Sequence, residues 1–214
     1  MQHLSDPARS APRRRRPGGR RPALAALVAL LLTPVAALAK PIASSVDAGA
    51  LPEGKRTPLG LYLTPEDAHA ALEKNPDILF LDVRDPIELS FVGHPEGMDA
   101  NVPLALASSA FDPRAGRYRM TANPDFRAQA EAAAAARGLD KSAPVFLICR
   151  SGVRSAAAAR ILAEAGFSNV WNLIEGFEGD RDKLTGRRTA NGWRNAGLPW
   201  AYKIPADAAW TPAR

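Results

Sequence analysis

The amino-acid sequence predicts an α/β domain built on a mainly parallel sheet, and three observations carry that expectation. Residues 78–83 (Ile-Leu-Phe-Leu-Asp-Val) and 145–148 (Val-Phe-Leu-Ile) are continuous apolar runs rather than alternating ones. Such runs belong to strands buried on both faces, as parallel sheets require. A shorter run covers residues 170–174, and Ala158, Ile161, Leu162 and Ala165 precede it at helical spacing. Strand, helix and strand at this distance form a βαβ unit with a right-handed crossover.

The chain begins with an address. Seven arginines (Arg9, Arg13, Arg14, Arg15, Arg16, Arg20 and Arg21) precede residue 40, with only Asp6 as acid. An apolar run over residues 23–32 follows, and Ala37-Leu38-Ala39 places small residues where a signal peptidase reads. Together they describe a cleavable signal peptide over residues 1–39. The run is shorter than the ~20 residues of a membrane span, so no stable membrane anchor is expected after cleavage. An uncleaved anchor and a transit peptide are the alternatives. Pro22 and Ala23 after Arg20-Arg21 fit the twin-arginine pattern poorly, which favours the general secretory route and a periplasmic or secreted protein.

That subtraction changes the electrostatics. The 214 residues hold 28 Lys+Arg and 22 Asp+Glu, a formal charge of +6. Seven of the bases and one acid lie in the signal, so the remainder carries 21 of each and is neutral. A neutral domain has no global field to gather polyanions, which argues against nucleic acid as a partner.

Residues 40–57, rich in Ala, Ser, Gly and Pro, read as a flexible lead-in to a domain over residues 58–202, with a tail at 203–214. A short strand at residues 60–63 leads to a helix over 64–74, with Thr64 as N-cap, Pro65 first and acids next. An alanine-rich helix covers residues 125–137 and ends at Gly138. The βαβ helix spans residues 155–165 and stops at Gly166. Residues 104–124 and 176–195 read as long polar connections, the kind that carry function or move.

The single cysteine, Cys149, stands at the carboxyl end of the second buried run, directly before that helix. Open α/β sheets place their crevices there. Arg150-Ser151-Gly152-Val153-Arg154 follows. Gly152 lets the backbone curl into an anion-binding nest, and the helix N-terminus adds partial positive charge. A thiol in that setting is favoured as thiolate, a nucleophile inside an anion-binding cup. One cysteine and three scattered histidines argue against a metal, and no cofactor is expected.

The segment from Cys149 to Ser155 resembles the active-site loop of the rhodanese family of sulfurtransferases. Leu81-Asp82-Val83-Arg84-Asp85-Pro86 with Glu88, and Gly93-His94 through Asn101-Val102-Pro103, are similar to that family's two earlier signatures. Leu162, Gly166-Phe167 and Asn169-Val170 match its pattern after the active-site helix. The resemblance spans residues 58–180. It implies a rhodanese-like sheet flanked by helices on both faces, and a cysteine that carries sulfur as a persulfide. Cys149 would take sulfane sulfur from a small anionic donor such as thiosulfate or polysulfide and yield it to a thiol, cyanide or sulfite. Arg150, Ser151, Gly152, Val153, Arg154 and Ser155 would bind the substrate, with Arg150 and Arg154 attracting the anion.

Asp82 and Arg84 either brace the loop or form an ordinary strand-end ion pair, for example Arg84 with Glu88. His94 reads as architecture. Four residues separate Cys149 from Arg154, one fewer than in the related cysteine phosphatases, which disfavours phosphate chemistry. The absence of a Cys-x-x-Cys pair disfavours a thiol oxidoreductase. The main rival is a sulfur-carrying or protein-binding module without catalysis. Trp171, Trp193, Trp200 and Trp210 either cover the core or offer a surface to a protein partner.

Overall fold

The structure, a computed structural model, describes residues 42–212; the expected signal peptide lies outside them. Four strands, β1 (Tyr62–Leu63), β2 (Leu79–Asp82), β3 (His94–Pro95) and β4 (Ala100–Asn101), interleave with helices α1 (Pro65–Leu72) and α2 (Pro86–Val92). Next come β5 (Ala105–Asp112), β6 (Arg117–Ala122), α3 (Phe126–Ala136), β7 (Val145–Ile148), α4 (Val153–Glu164), β8 (Val170–Leu173) and β9 (Trp200–Ala201).

The apolar runs form the middle of a five-stranded sheet of order β1-β8-β7-β2-β4, in which every pairing is parallel. All four residues of β2, β7 and β8 are buried, because helices cover both faces. Leu79, Leu81, Val145, Leu147 and Val170 pack with α3 and α4 through Phe126, Ala130, Ala158 and Leu162. Phe80, Phe146, Ile148, Trp171 and Leu173 face Ala68 of α1 and Leu89 of α2. Strand registers pair Asp82 with Ile148, so Val83-Arg84 and Cys149 leave the sheet side by side.

Local chemistry sets the helix ends. The Thr64 hydroxyl accepts the Asp67 N–H, with Pro65 as first helical residue. Helix α2, absent from the sequence reading, begins with a capping box. The Asp85 carboxylate accepts the Ile87 N–H, and Glu88 reaches back to the Asp85 N–H.

Three expectations are corrected. Residues 104–124 are not an irregular connection: β5 and β6 pair antiparallel as a hairpin, with a register shift between Ala107 and Phe111. The hairpin is largely exposed, so it has no buried face and no apolar alternation to betray it. Residues 42–57 are seated on the domain rather than flexible. Ser44 and Ser45 bond along the free edge of β1, and Leu51 and Lys55 are buried. The expected tail after residue 202 also packs on the domain: Ala208 is buried and its carbonyl accepts the Asn101 N–H, while within the expected domain Trp193 is fully buried against Phe80 and β9 pairs with β3. Trp171 is buried as well, whereas Trp200 and Trp210 are half-buried.

Candidate active site

Cys149 follows β7 and is 2% exposed. Its Sγ accepts the Gly152 N–H at 3.2 Å and lies 3.3 Å from Ser155 Oγ. Gly152 has φ +89°, and a Cβ there would lie 2.0 Å from Ile174 O. Only glycine permits that approach of the loop to the end of β8. Gly176 repeats the argument from the other side, since its Cβ would stand 2.4 Å from Cys149 O. The loop is therefore main chain packed on main chain, opening into α4 at Val153, two residues earlier than the sequence indicated.

Asn172 fastens the loop from within. Wholly buried in β8, it donates Nδ2–H to Gly152 O at 3.1 Å and to Lys55 O at 2.9 Å. Its Oδ1 faces the Ser155 hydroxyl at 2.6 Å. Sequence reading treated Asn172 as part of an apolar run; a polar residue in a doubly buried strand was the available signal.

The charged groups do not pair as expected. Arg84 does not meet Glu88. It binds Asp82, two residues back, with Nη2–Oδ2 at 2.6 Å, both side chains fully buried. Glu88 instead grips Arg154, Oε1 accepting from Nη2 at 2.6 Å and Oε2 from Nη1. Burial alone would raise the Glu88 carboxyl. The hydrogen bond and charge of Arg154, with the Arg84 charge and the Asp85 N–H, outweigh it and hold the group below the ordinary 4.5. On Arg154, burial is likewise outweighed by Glu88, and the guanidinium is held more firmly protonated than usual.

A profile of the rhodanese-like domain matches residues 64–183, more than half of the chain. The chain belongs to the rhodanese-like domain family. Among curated proteins, it is 41% identical over 59 residues to the uncharacterized protein RP600 of Rickettsia prowazekii. That match covers 27% of this chain and 42% of the relative. It is 39% identical over 56 residues to the thiosulfate sulfurtransferase GlpE of Actinobacillus succinogenes, 26% of this chain and 39% of that one. The chain thus spans about two-fifths of the length of these curated relatives. Rv0390 of M. tuberculosis is a solved structure similar to it, with 35% identity and a TM-score of 0.52. The alignment covers 66% of this chain and 97% of that one.

In this rhodanese-like domain the Asp82–Arg84 pair is linked to the loop. Arg84 lies 4.3 Å over the Phe177 ring, and the Phe177 N–H donates to Cys149 O at 2.7 Å. Arg84 Nη2 also donates to Gly93 O, joining the two earlier signatures. His94 is buried, its ring nitrogens lying against Pro95 O and Lys203 O. Ser151 and Arg150 lie partly exposed around the cup and Val153 is exposed. Of the functional neighbours, sequence reasoning missed Asn172 and the Glu88–Arg154 pairing. Motif position assigns Glu88 to the first signature, but its partner is 66 residues away.

Proposed function

We propose that this rhodanese-like domain is a sulfurtransferase that carries sulfane sulfur as a Cys149 persulfide. One observation carries the reading: the sole thiol accepts a main-chain N–H within a glycine-built loop at the start of α4. In the first half-reaction the thiolate attacks the outer sulfur of thiosulfate. A new S–S bond forms, the old one breaks, and sulfite leaves with the bonding pair. In the second, an acceptor such as cyanide attacks the terminal sulfur, departs as thiocyanate and restores the thiolate. Loop amides and the positive end of α4 stabilise the persulfide anion. With a single cysteine, the chain cannot resolve its persulfide internally, so discharge depends on an outside acceptor. Similarity to a protein named thiosulfate sulfurtransferase supports the choice of chemistry.

The test is mass spectrometry of the protein after incubation with thiosulfate. The expected product is one added sulfur atom on Cys149, absent in Cys149→Ser and removed by cyanide. No adduct with thiosulfate, polysulfide or mercaptopyruvate would instead support a binding module. We also propose export, on the strength of residues 1–39. N-terminal sequencing of the exported protein should begin at Lys40.

A further inference from the structure

The Cys149 loop is held in two halves. Asn172 fastens the second half at Gly152 O. The first half is held by the chain beyond β8. The Phe177 N–H donates to Cys149 O at 2.7 Å, and the Glu178 and Gly179 N–H groups donate to Arg150 O at 3.0 and 3.1 Å. Because the C=O and N–H of a trans peptide point in opposite directions, these bonds turn the Arg150 and Ser151 N–H groups away from residues 177–179. No acceptor takes those two donors among the described residues.

The carbonyls of the same stretch are all taken by residues 188–195, which lie beyond the family match. Gly176 O accepts the Trp193 N–H at 2.9 Å, and Phe177 O accepts the Arg194 N–H at 3.0 Å. Glu178 O accepts from Asn195 Nδ2 at 2.9 Å, and Gly179 O from Arg188 Nη1. Residues 176–179 are therefore a main-chain splint between the Cys149 loop and the 188–195 segment. Asn195 Nδ2 also reaches Asn191 O at 2.8 Å and Arg188 O at 3.1 Å, so one amide ties the splint to the segment's own turn. At Gly179 the two meet without room for a side chain: a Cβ there would lie 1.7 Å from Asn191 O. Trp193, fully buried, anchors the segment in the core.

We infer that residues 188–195, acting through this splint, hold the Cys149 loop in its working shape, with Gly179 and Asn195 as positioning residues for attack by the thiol. The inference rests on the sulfurtransferase reading for what the loop does, and on the hydrogen bonds alone for how the loop is held. Donors fixed in advance around a reacting anion lower the barrier because nothing has to reorganise during the step, so slack in the splint should slow the chemistry.

The experiment uses Gly179→Ala and Asn195→Asp, with Gly186→Ala as control. Gly186 also has a left-handed φ, +69°, but a Cβ there meets nothing within 4 Å. Hydrogen exchange read by mass spectrometry reports on the loop whether or not it handles sulfur. Amides of residues 177–179 and of the Cys149 loop should exchange about tenfold faster in Gly179→Ala than in Gly186→Ala, with β2 alike in both. Stopped-flow reaction with thiosulfate reads the positioning role. The rate constant for persulfide formation should fall about ten- to a hundredfold in Gly179→Ala and about three- to tenfold in Asn195→Asp. The amplitude, which counts the molecules that react, should stay near that of the wild type. Equal exchange in the two glycine variants, or a loss of amplitude at an unchanged rate constant, would overturn the inference. Faster exchange in a protein that takes no sulfur would uphold the splint and overturn the sulfurtransferase reading instead.

Discussion

Ser155 Oγ lies 2.6 Å from Asn172 Oδ1, and this short bond decides which group serves the Cys149 sulfur. A serine hydroxyl has one proton to give. The Asn172 Nδ2 protons are committed to Gly152 O and Lys55 O, so Oδ1 can only accept. The Ser155 proton therefore goes to Asn172, and its oxygen, 3.3 Å from Sγ, faces the sulfur as an acceptor. The N–H of Gly152 is left as the donor to a thiolate.

Ser155→Ala is accordingly expected to slow persulfide formation by less than about tenfold. Asn172→Ala should do more, since it leaves the buried Lys55 carbonyl unpartnered, at about 1–3 kcal/mol, and Gly152 O with the Ala156 N–H alone. Stopped-flow measurement of the thiosulfate half-reaction, beside urea unfolding, tests the order. A larger kinetic loss in Ser155→Ala than in Asn172→Ala would contradict it.

The grip of Glu88 on Arg154 predicts a pH signature. The carboxyl lies below its ordinary 4.5 in the folded state, so its stabilisation is complete above that value. It is lost as pH falls through the folded value. Glu88→Gln should cost about 1–3 kcal/mol at pH 7, with the difference from wild type shrinking as the pH drops below the ordinary carboxylate range. Unfolding curves collected across that range measure both.

Removing one partner of the Asp82–Arg84 pair strands a charge in a site with no solvent access. Arg84→Met is expected to destabilise the domain by about 3–5 kcal/mol, a fall in Tm of roughly 6–20 °C. Thermal denaturation followed by circular dichroism provides the measurement. A loss below about 1 kcal/mol would mean that the pair contributes little beyond its packing.

The hairpin should be dispensable for folding. Replacing residues 108–119 with Gly-Gly joins the cross-strand partners Ala107 and Met120 directly and leaves the Asp85 bond to the Ala107 N–H in place. The expected change in Tm is less than about 4 °C, because little buried surface is lost. A larger drop would show that the hairpin supports α2 beyond that single bond.

Sequence made the centre of the fold legible because β2 and β7 are buried on both faces, and Thr64-Pro65 marked the start of α1. It also placed Cys149 at the strand end before a helix. What escaped depended on distance or exposure. The capping box of α2 was present in Asp85-Pro86 and Glu88, yet the helix is only seven residues long and exposes Ile87 and Phe91. The hairpin lacks a buried face, so periodicity had nothing to register. The grip of Glu88 on Arg154 spans 66 residues, a placement that no local pattern encodes.

Trp193 and Ala208 close the α1–α2 side of the core from the far end of the described chain. A ribosome delivers them after every strand of the parallel sheet. The nascent polypeptide is thus left without its last wedge while the rest is already made, and its cooperative closure falls late in synthesis. On the proposed export route, that delay would lengthen the interval in which a translocon can capture the unfolded chain. The same closing segment then makes the return to an open form costly, since extracting one buried tryptophan costs about 3–5 kcal/mol.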